Sequence, residues 1–205
     1  MALATYSDLI AAVDAWANRG GTDDAKMPTF VALFEARANR ALRVPQMEAV
    51  ASASITDNEL VLPDDFLSAR DLWLDGPVTL RAMSPQELRD TNERFASGNS
   101  IGYAILDQTL SFAPPLSDDE TVNLSYYATI PALSEDNTTN WLLTSYPDAY
   151  LYGCLAALYN YLRDDDQAAA MLALSDRIMA EIQRDAIRKQ LPAGPLVARS
   201  SIYNG

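Results

Sequence analysis

The chain has 205 residues, 49% hydrophobic and 21% charged, enough for one sizeable core or for a core that carries an inserted module. Its 15 Lys plus Arg against 28 Asp plus Glu leave a net charge of −13, which argues against a protein whose main task is to grip phosphates. With no His and a single Cys, Cys154, the chain lacks the means for Ser-His-Asp or Cys-His catalysis, His-ligated metals, zinc clusters and a disulfide framework, so no cofactor is expected.

The first residues carry acids at Asp8 and Asp14 where a signal peptide needs a basic start and an unbroken apolar run, and no stretch of about 18 apolar residues occurs; no membrane association is expected. Tyr6, Leu9, Ile10, Val13, Trp16 and Ala17 fall at helical spacing and predict a first helix over 6–18, with Ser7 as its N-cap. A second runs from Pro28 or Thr29 through Phe30, Leu33, Phe34, Ala38 and Leu42, and ends at Val44-Pro45 because proline disfavours helical geometry in the residue before it.

From Met47 the period changes. Strands are predicted at 47–55, 59–62, 72–74, 78–80, 102–106, 109–112 and 121–128, with the clearest hairpin turning at Asp107-Gln108. One helix interrupts them, opened by a capping box at Ser84-Pro85-Gln86-Glu87 and fading by 95–98. Helical period returns at Tyr146, where Tyr150, Leu151, Cys154, Leu155, Leu158, Tyr161 and Leu162 make a broad apolar face in which Cys154 reads as an inert, buried thiol. After a break at 163–166, an Asp caps a last helix that keeps its stripe to about Gln190. An extended arm follows. The expected fold is α+β: a helical bundle from parts 1–45 and 144–190, a β-rich insertion with one helix at 46–143, and a C-terminal arm at 191–205.

Acidic clusters at 23–24, 57–59, 64–65, 118–120 and 164–166 all fall at predicted turns or helix starts, where Asp serves as cap and turn former. Arg37, Arg40 and Arg43, at steps of three, line one side of the second helix; they face a partner protein or pair with Glu35 and nearby acids, with DNA contact the minor alternative. Strand alternation sends Tyr126 and Tyr127 to opposite faces, so one of them faces solvent or a neighbouring subunit. Past Asp185 the chain is basic, with Arg188, Lys189 and Arg199, and it adds apolar Leu196, Val197, Ile202 and Tyr203. Apolar anchors among cations suit docking into an acidic groove.

An ordered set of short motifs then resembles the head-to-tail adaptor (connector) proteins of tailed bacteriophages, of the tail tubular protein A type. It begins with Tyr6, Asp8, Leu9 and Trp16, followed by Glu35-Ala36-Arg37-Ala38-Asn39-Arg40-Ala41-Leu42-Arg43 and Leu62-Pro63-Asp64-Asp65-Phe66-Leu67. It continues through Ser84-Pro85-Gln86-Glu87-Leu88, Tyr126-Tyr127, Ile130-Pro131-Ala132-Leu133-Ser134 and Asn140-Trp141-Leu142-Leu143. Tyr146-Pro147-Asp148, Leu151-Tyr152-Gly153 and Tyr161-Leu162-Arg163-Asp164-Asp165 complete it. The resemblance implies a non-enzymatic virion protein of the neck, made in the host cytoplasm and assembled as a twelvefold ring below the portal protein. Its C-terminal arms would dock on the portal and its far side would meet a tail or nozzle protein, around a channel that DNA crosses without specific binding. Two alternatives are an acidic, carboxylate-dependent phage hydrolase and a soluble helical assembly chaperone.

Overall fold

Helix α1, Tyr6–Ala17, starts at a capping box built by Thr5 rather than by Ser7: Thr5 Oγ1 accepts from the Asp8 N–H at 3.3 Å, and Asp8 Oδ2 accepts from the Thr5 N–H at 3.1 Å. The Thr-x-x-Asp spacing satisfies two end donors at once, which the later Ser7 cannot do. Helix α2, Met27–Ala41, begins one residue before Pro28, whose missing N–H costs nothing in a first turn. The computed structural model describes residues 3–18, 20, 24–74, 80–95, 102–118 and 120–190, among which there are six α-helices and seven strands, an α+β fold with helices at both ends. Residues before 46 and after 130 belong to one unit and 46–130 to another. The expected arm, 191–205, lies outside the described residues.

In the β-rich unit, β1 (Glu48–Ser54) and β3 (Phe66–Leu74) flank β7 (Thr121–Ala128), both antiparallel to it. Strand β3 is longer than the expected 72–74. Register shifts at 66/68 and 69/71 break the alternation of its first half, which hides it from a period-two reading. The second sheet has the order β2-β6-β5-β4, from β2 (Glu59–Val61), β6 (Thr109–Ala113), β5 (Gly102–Leu106) and β4 (Arg81–Ala82). Strands β5 and β6 form the expected hairpin, with Asp107 at φ 57° in its turn. Strands β4 and β5 run parallel because helix α3, Pro85–Arg94, carries the chain between them, opened by the expected Ser84/Glu87 capping box. Of the strand expected at 78–80, residues 78 and 79 lie outside the described residues; Leu80 donates its N–H to Leu72 O at 3.1 Å. Ile55, Leu60, Leu72, Leu110, Phe112, Val122, Leu124 and Tyr126 form this unit's core.

The helical unit is organised around helix α5, Pro147–Tyr161, whose apolar surface is buried on several sides. Trp16 of α1 meets Tyr152 edge-on at 6.1 Å, and Phe34 of α2 meets Tyr150 at 4.7 Å. Gly153 admits Phe34: a Cβ there would lie 2.7 Å from Phe34 Cε2 and overlap the ring edge. A turn with Arg163 at φ 60° then leads into helix α6, Asp165–Gln190, where Asp164 Oδ1 accepts from the Gln167 N–H at 3.2 Å as the expected cap.

Residues 131–143, read from sequence as the end of the insertion, pack with the helical unit. A one-turn helix, α4 (Trp141–Ser145), capped by Asn140, begins within this stretch, ahead of the helical period at Tyr146. Five residues are too few for a periodicity to show.

Candidate assembly interface

The first polar feature of the helical unit is internal. Glu35 lies on α2 four residues after Val31 and three before Ala38, so it shares their buried face and is only 5% exposed. Its Oε1 accepts from the Leu133 N–H at 2.8 Å and from the Tyr150 hydroxyl at 2.9 Å. The Tyr150 oxygen in turn accepts from Asn140 Nδ2 at 2.6 Å, and Asn140 Oδ1 caps α4 by accepting from the Leu143 N–H at 2.8 Å. Burial pushes the Glu35 carboxyl above the ordinary range, against the pull of its two hydrogen bonds. Burial likewise raises the Tyr150 hydroxyl and the Cys154 thiol, which keeps Cys154 protonated and unreactive. Glu35 is therefore not the ion partner of the arginine stripe. The sequence signal was its spacing from Val31 and Ala38.

The three arginines have different fates. Arg37 forms a bidentate pair with Asp176 of α6, Nη2 lying 2.7 and 2.8 Å from the two carboxylate oxygens. Arg43 folds back on the end of α2, its Nη1 donating to Asn39 O at 2.8 Å, while Gln183 of α6 bridges its backbone N–H and C=O at 2.9 and 3.1 Å. Arg40 is exposed. Both partners of the Arg37–Asp176 pair are partly exposed, at 38% and 47%, so Arg37→Ala is expected to lower stability by about 0.5–1 kcal/mol. Chemical denaturation checks it, and the difference should shrink on raising salt to about 1 M; a salt-independent loss would rule out the ion pair as its source.

Arg40 stands at the rim of an open groove of about 440 Å³ between α2, α5 and α6. Small residues line it, among them Gly153, Ala157 and the exposed Ala169, and Leu33 is 57% exposed. A second, shallow depression of about 410 Å³ runs along α1 over Ser7, Ile10 and Ala11, edged by Asp14 and Glu135. Leu33 belongs to the apolar series that predicts the second helix but stays exposed beside the groove, and Ala169 is not distinguished in the sequence.

The remaining candidates lie apart from these surfaces. Tyr126 is buried, its hydroxyl donating to Asp65 Oδ1 at 2.9 Å and its ring stacked on Phe66 at 5.8 Å; burial raises its hydroxyl pKa first, and the bond to Asp65 adds to this. Tyr127 is half-buried. Arg188 and Lys189 are exposed on the last turn of α6, Arg188 lying 3.6 Å from Asp185. Leu196, Val197, Arg199, Ile202 and Tyr203 lie outside the described residues. Two of the clustered acids do turn and cap work, Asp118 Oδ1 accepting from the Asp57 N–H at 3.0 Å and Asp164 capping α6, whereas the Asp65 carboxylate accepts from the Tyr126 hydroxyl. Among the described residues no cluster of His, Cys, Asp or Glu has the geometry of a metal site, and no helix is long and apolar enough to cross a membrane.

A family model for SU10 adaptor proteins matches residues 4–199, through both units and beyond the last helix. The chain belongs to the SU10 adaptor protein family. Family membership makes it a phage structural adaptor; the match does not single out the tail tubular protein A type. No curated protein matches the chain.

Proposed function

We propose that this SU10 adaptor family member assembles as a ring, twelvefold, beneath the portal protein, joins the phage head to the tail in the virion neck and leaves an axial channel for DNA. The observation that carries this reading is the family match over residues 4–199. A net charge of −13 supports the channel role, because an acidic wall lets DNA pass without adhering. The basic last turn of α6, with Arg188 and Lys189, leads into an arm that carries Arg199 among Leu196, Val197, Ile202 and Tyr203 and docks on the portal. The opposite end of the ring offers itself to a tail or nozzle protein, and the half-buried Tyr127 is a candidate subunit contact.

Native mass and negative-stain imaging, with and without the portal ring of the same phage, test the assembly. Particles of about twelve subunits with a central hole are expected under at least one condition; a protein that stays monomeric under both overturns the ring. Deleting 191–205 is expected to abolish portal binding and leave the fold intact, and equal binding by the truncated protein would remove the arm assignment.

A further inference from the structure

We infer that strand β1 is a strand-addition edge and that its occupant in the free protein is β1 of a second copy, paired antiparallel about a two-fold axis. The contact is separate from any contact between neighbours round a ring, so it neither rests on the ring reading nor falls with it.

A terminal strand offers a row of outward N–H and C=O groups, and proteins guard such edges with brevity, bulges, charge or cover. Three of the four terminal strands in the β-rich unit are guarded. β2 has three residues and opens on Glu59, and β4 has two and opens on Arg81. β3 is broken by its two register shifts, carries Arg70 and Asp71, and is covered at Leu72 by Leu80. β1 has none of these devices. It runs seven residues against β7 in unbroken register, Glu48 to Ser54, with no proline and no charge after Glu48, and no strand lies on its other side among the described residues. Val50 is 67% exposed, and Ser52, Ala53 and Ser54 are exposed with it.

Charge points to the same place. Residues 46–130 hold 4 Arg and no Lys against 14 Asp plus Glu, a net charge of −10 out of the chain's −13. Yet β1 past Glu48 and the whole of β7 hold no charged residue. Depletion of charge marks the core of an interface, and on so acidic a unit it is where a second copy comes close without setting carboxylates against carboxylates.

β1 also fits itself better than it fits the guarded edges. In full antiparallel register Ala51 faces Ala51 of the second copy, Val50 faces Ser52, Ala49 faces Ala53 and Glu48 faces Ser54. Every side chain past Glu48 is small. The two Glu48 carboxylates, each paired with Arg70 of its own chain, stand at opposite ends of the pairing, about 20 Å apart. The product is a six-stranded sheet, β3-β7-β1 continued by β1-β7-β3, in which the open edge is gone.

Analytical ultracentrifugation across a dilution series, without portal, tests the contact. The parent is expected as a monomer–dimer equilibrium that shifts toward dimer on raising salt, because screening relieves the repulsion between two units of −10. Val50→Lys with Ser52→Lys sets like charges directly opposite across the two-fold and is expected to weaken the dimer by at least about tenfold. Val50→Glu with Ser52→Glu is expected to do the same. Mixed together, the two double variants are expected to recover a dimer, since each lysine then faces a glutamate; a variant that had merely misfolded would not be rescued by the other. A parent that sediments only as monomer, or only as monomer and closed ring, overturns the contact. So does a dimer that both double variants form with the parent's affinity. A monomer whose β1 amides are protected from hydrogen exchange until 191–205 is deleted overturns it as well, and gives the edge to the chain's own arm.

Discussion

Glu35→Ala is expected to destabilise the helical unit by on the order of 3 kcal/mol, because it leaves two buried donors, the Leu133 N–H and the Tyr150 hydroxyl, without their acceptor. Glu35→Gln is expected to cost far less: its amide oxygen keeps both bonds and the desolvated charge is gone. The pair of variants also separates hydrogen bonding from charge. Since burial raises the Glu35 carboxyl above its ordinary value of 4.5, the folded chain binds its proton more readily than the unfolded chain does. The resulting stabilisation is complete below that ordinary value and is lost as pH rises through the raised one. The parent should therefore gain stability relative to Glu35→Gln on acidification toward pH 4.5. Asp8 and Glu87 act in the other direction and lower down: each is held below the ordinary carboxylate range by its capping bonds, and their contribution is lost as pH falls through those depressed values. Urea denaturation of parent and Glu35→Gln across this range checks the sign, and parallel curves would show that Glu35 has no raised carboxyl.

The second large effect is expected at Gly153. Gly153→Ala should stabilise an isolated helix by about 1 kcal/mol, the ordinary gain from replacing glycine in a helix interior. Here the added Cβ overlaps the Phe34 ring, itself packed at 4.7 Å on Tyr150, so either α2 moves away from α5 or the aromatic pair breaks. Overpacking of this kind costs about 1–3 kcal/mol. A net loss is expected, measurable as a lower denaturation midpoint with unchanged slope. Phe34→Leu in the Gly153→Ala background should recover part of it, since a smaller side chain vacates the space. A gain in stability from Gly153→Ala alone would show that α2 yields freely.

How much of this was legible in the sequence depended on period and on distance along the chain. Helices α1, α2, α5 and α6 announced themselves through apolar residues at steps of three and four, with prolines and small polar residues at their starts. The β5–β6 hairpin was equally plain, because Asp107-Gln108 separates two alternating runs. Two register shifts concealed the first half of β3 and shortness concealed α4, and with α4 went the allegiance of 131–143 to the helical unit. The arginine stripe was visible as a pattern, but its division among Asp176, the end of α2 and open solvent was not: those partners lie about 140 positions away or on another turn of the helix. A glutamate in an arginine-rich run reads by its charge as a surface residue. Its place on the α2 face beside Val31 and Ala38 is what sends it inward.

The acceptor on Glu35 waits a long time for its donors. Leu133 lies 98 residues further along the chain and Tyr150 lies 115 further. At a synthesis rate of about 5–20 residues per second, α1 and α2 leave the ribosome roughly 5–20 seconds before the segment that completes their core exists. The stretch 46–130, whose described strands pair with one another, is complete within that interval. Order of birth thus favours a nascent chain in which the β-rich unit is finished first and the bundle closes last, with the arrival of Leu133 and Tyr150 as the event that takes Glu35 out of water.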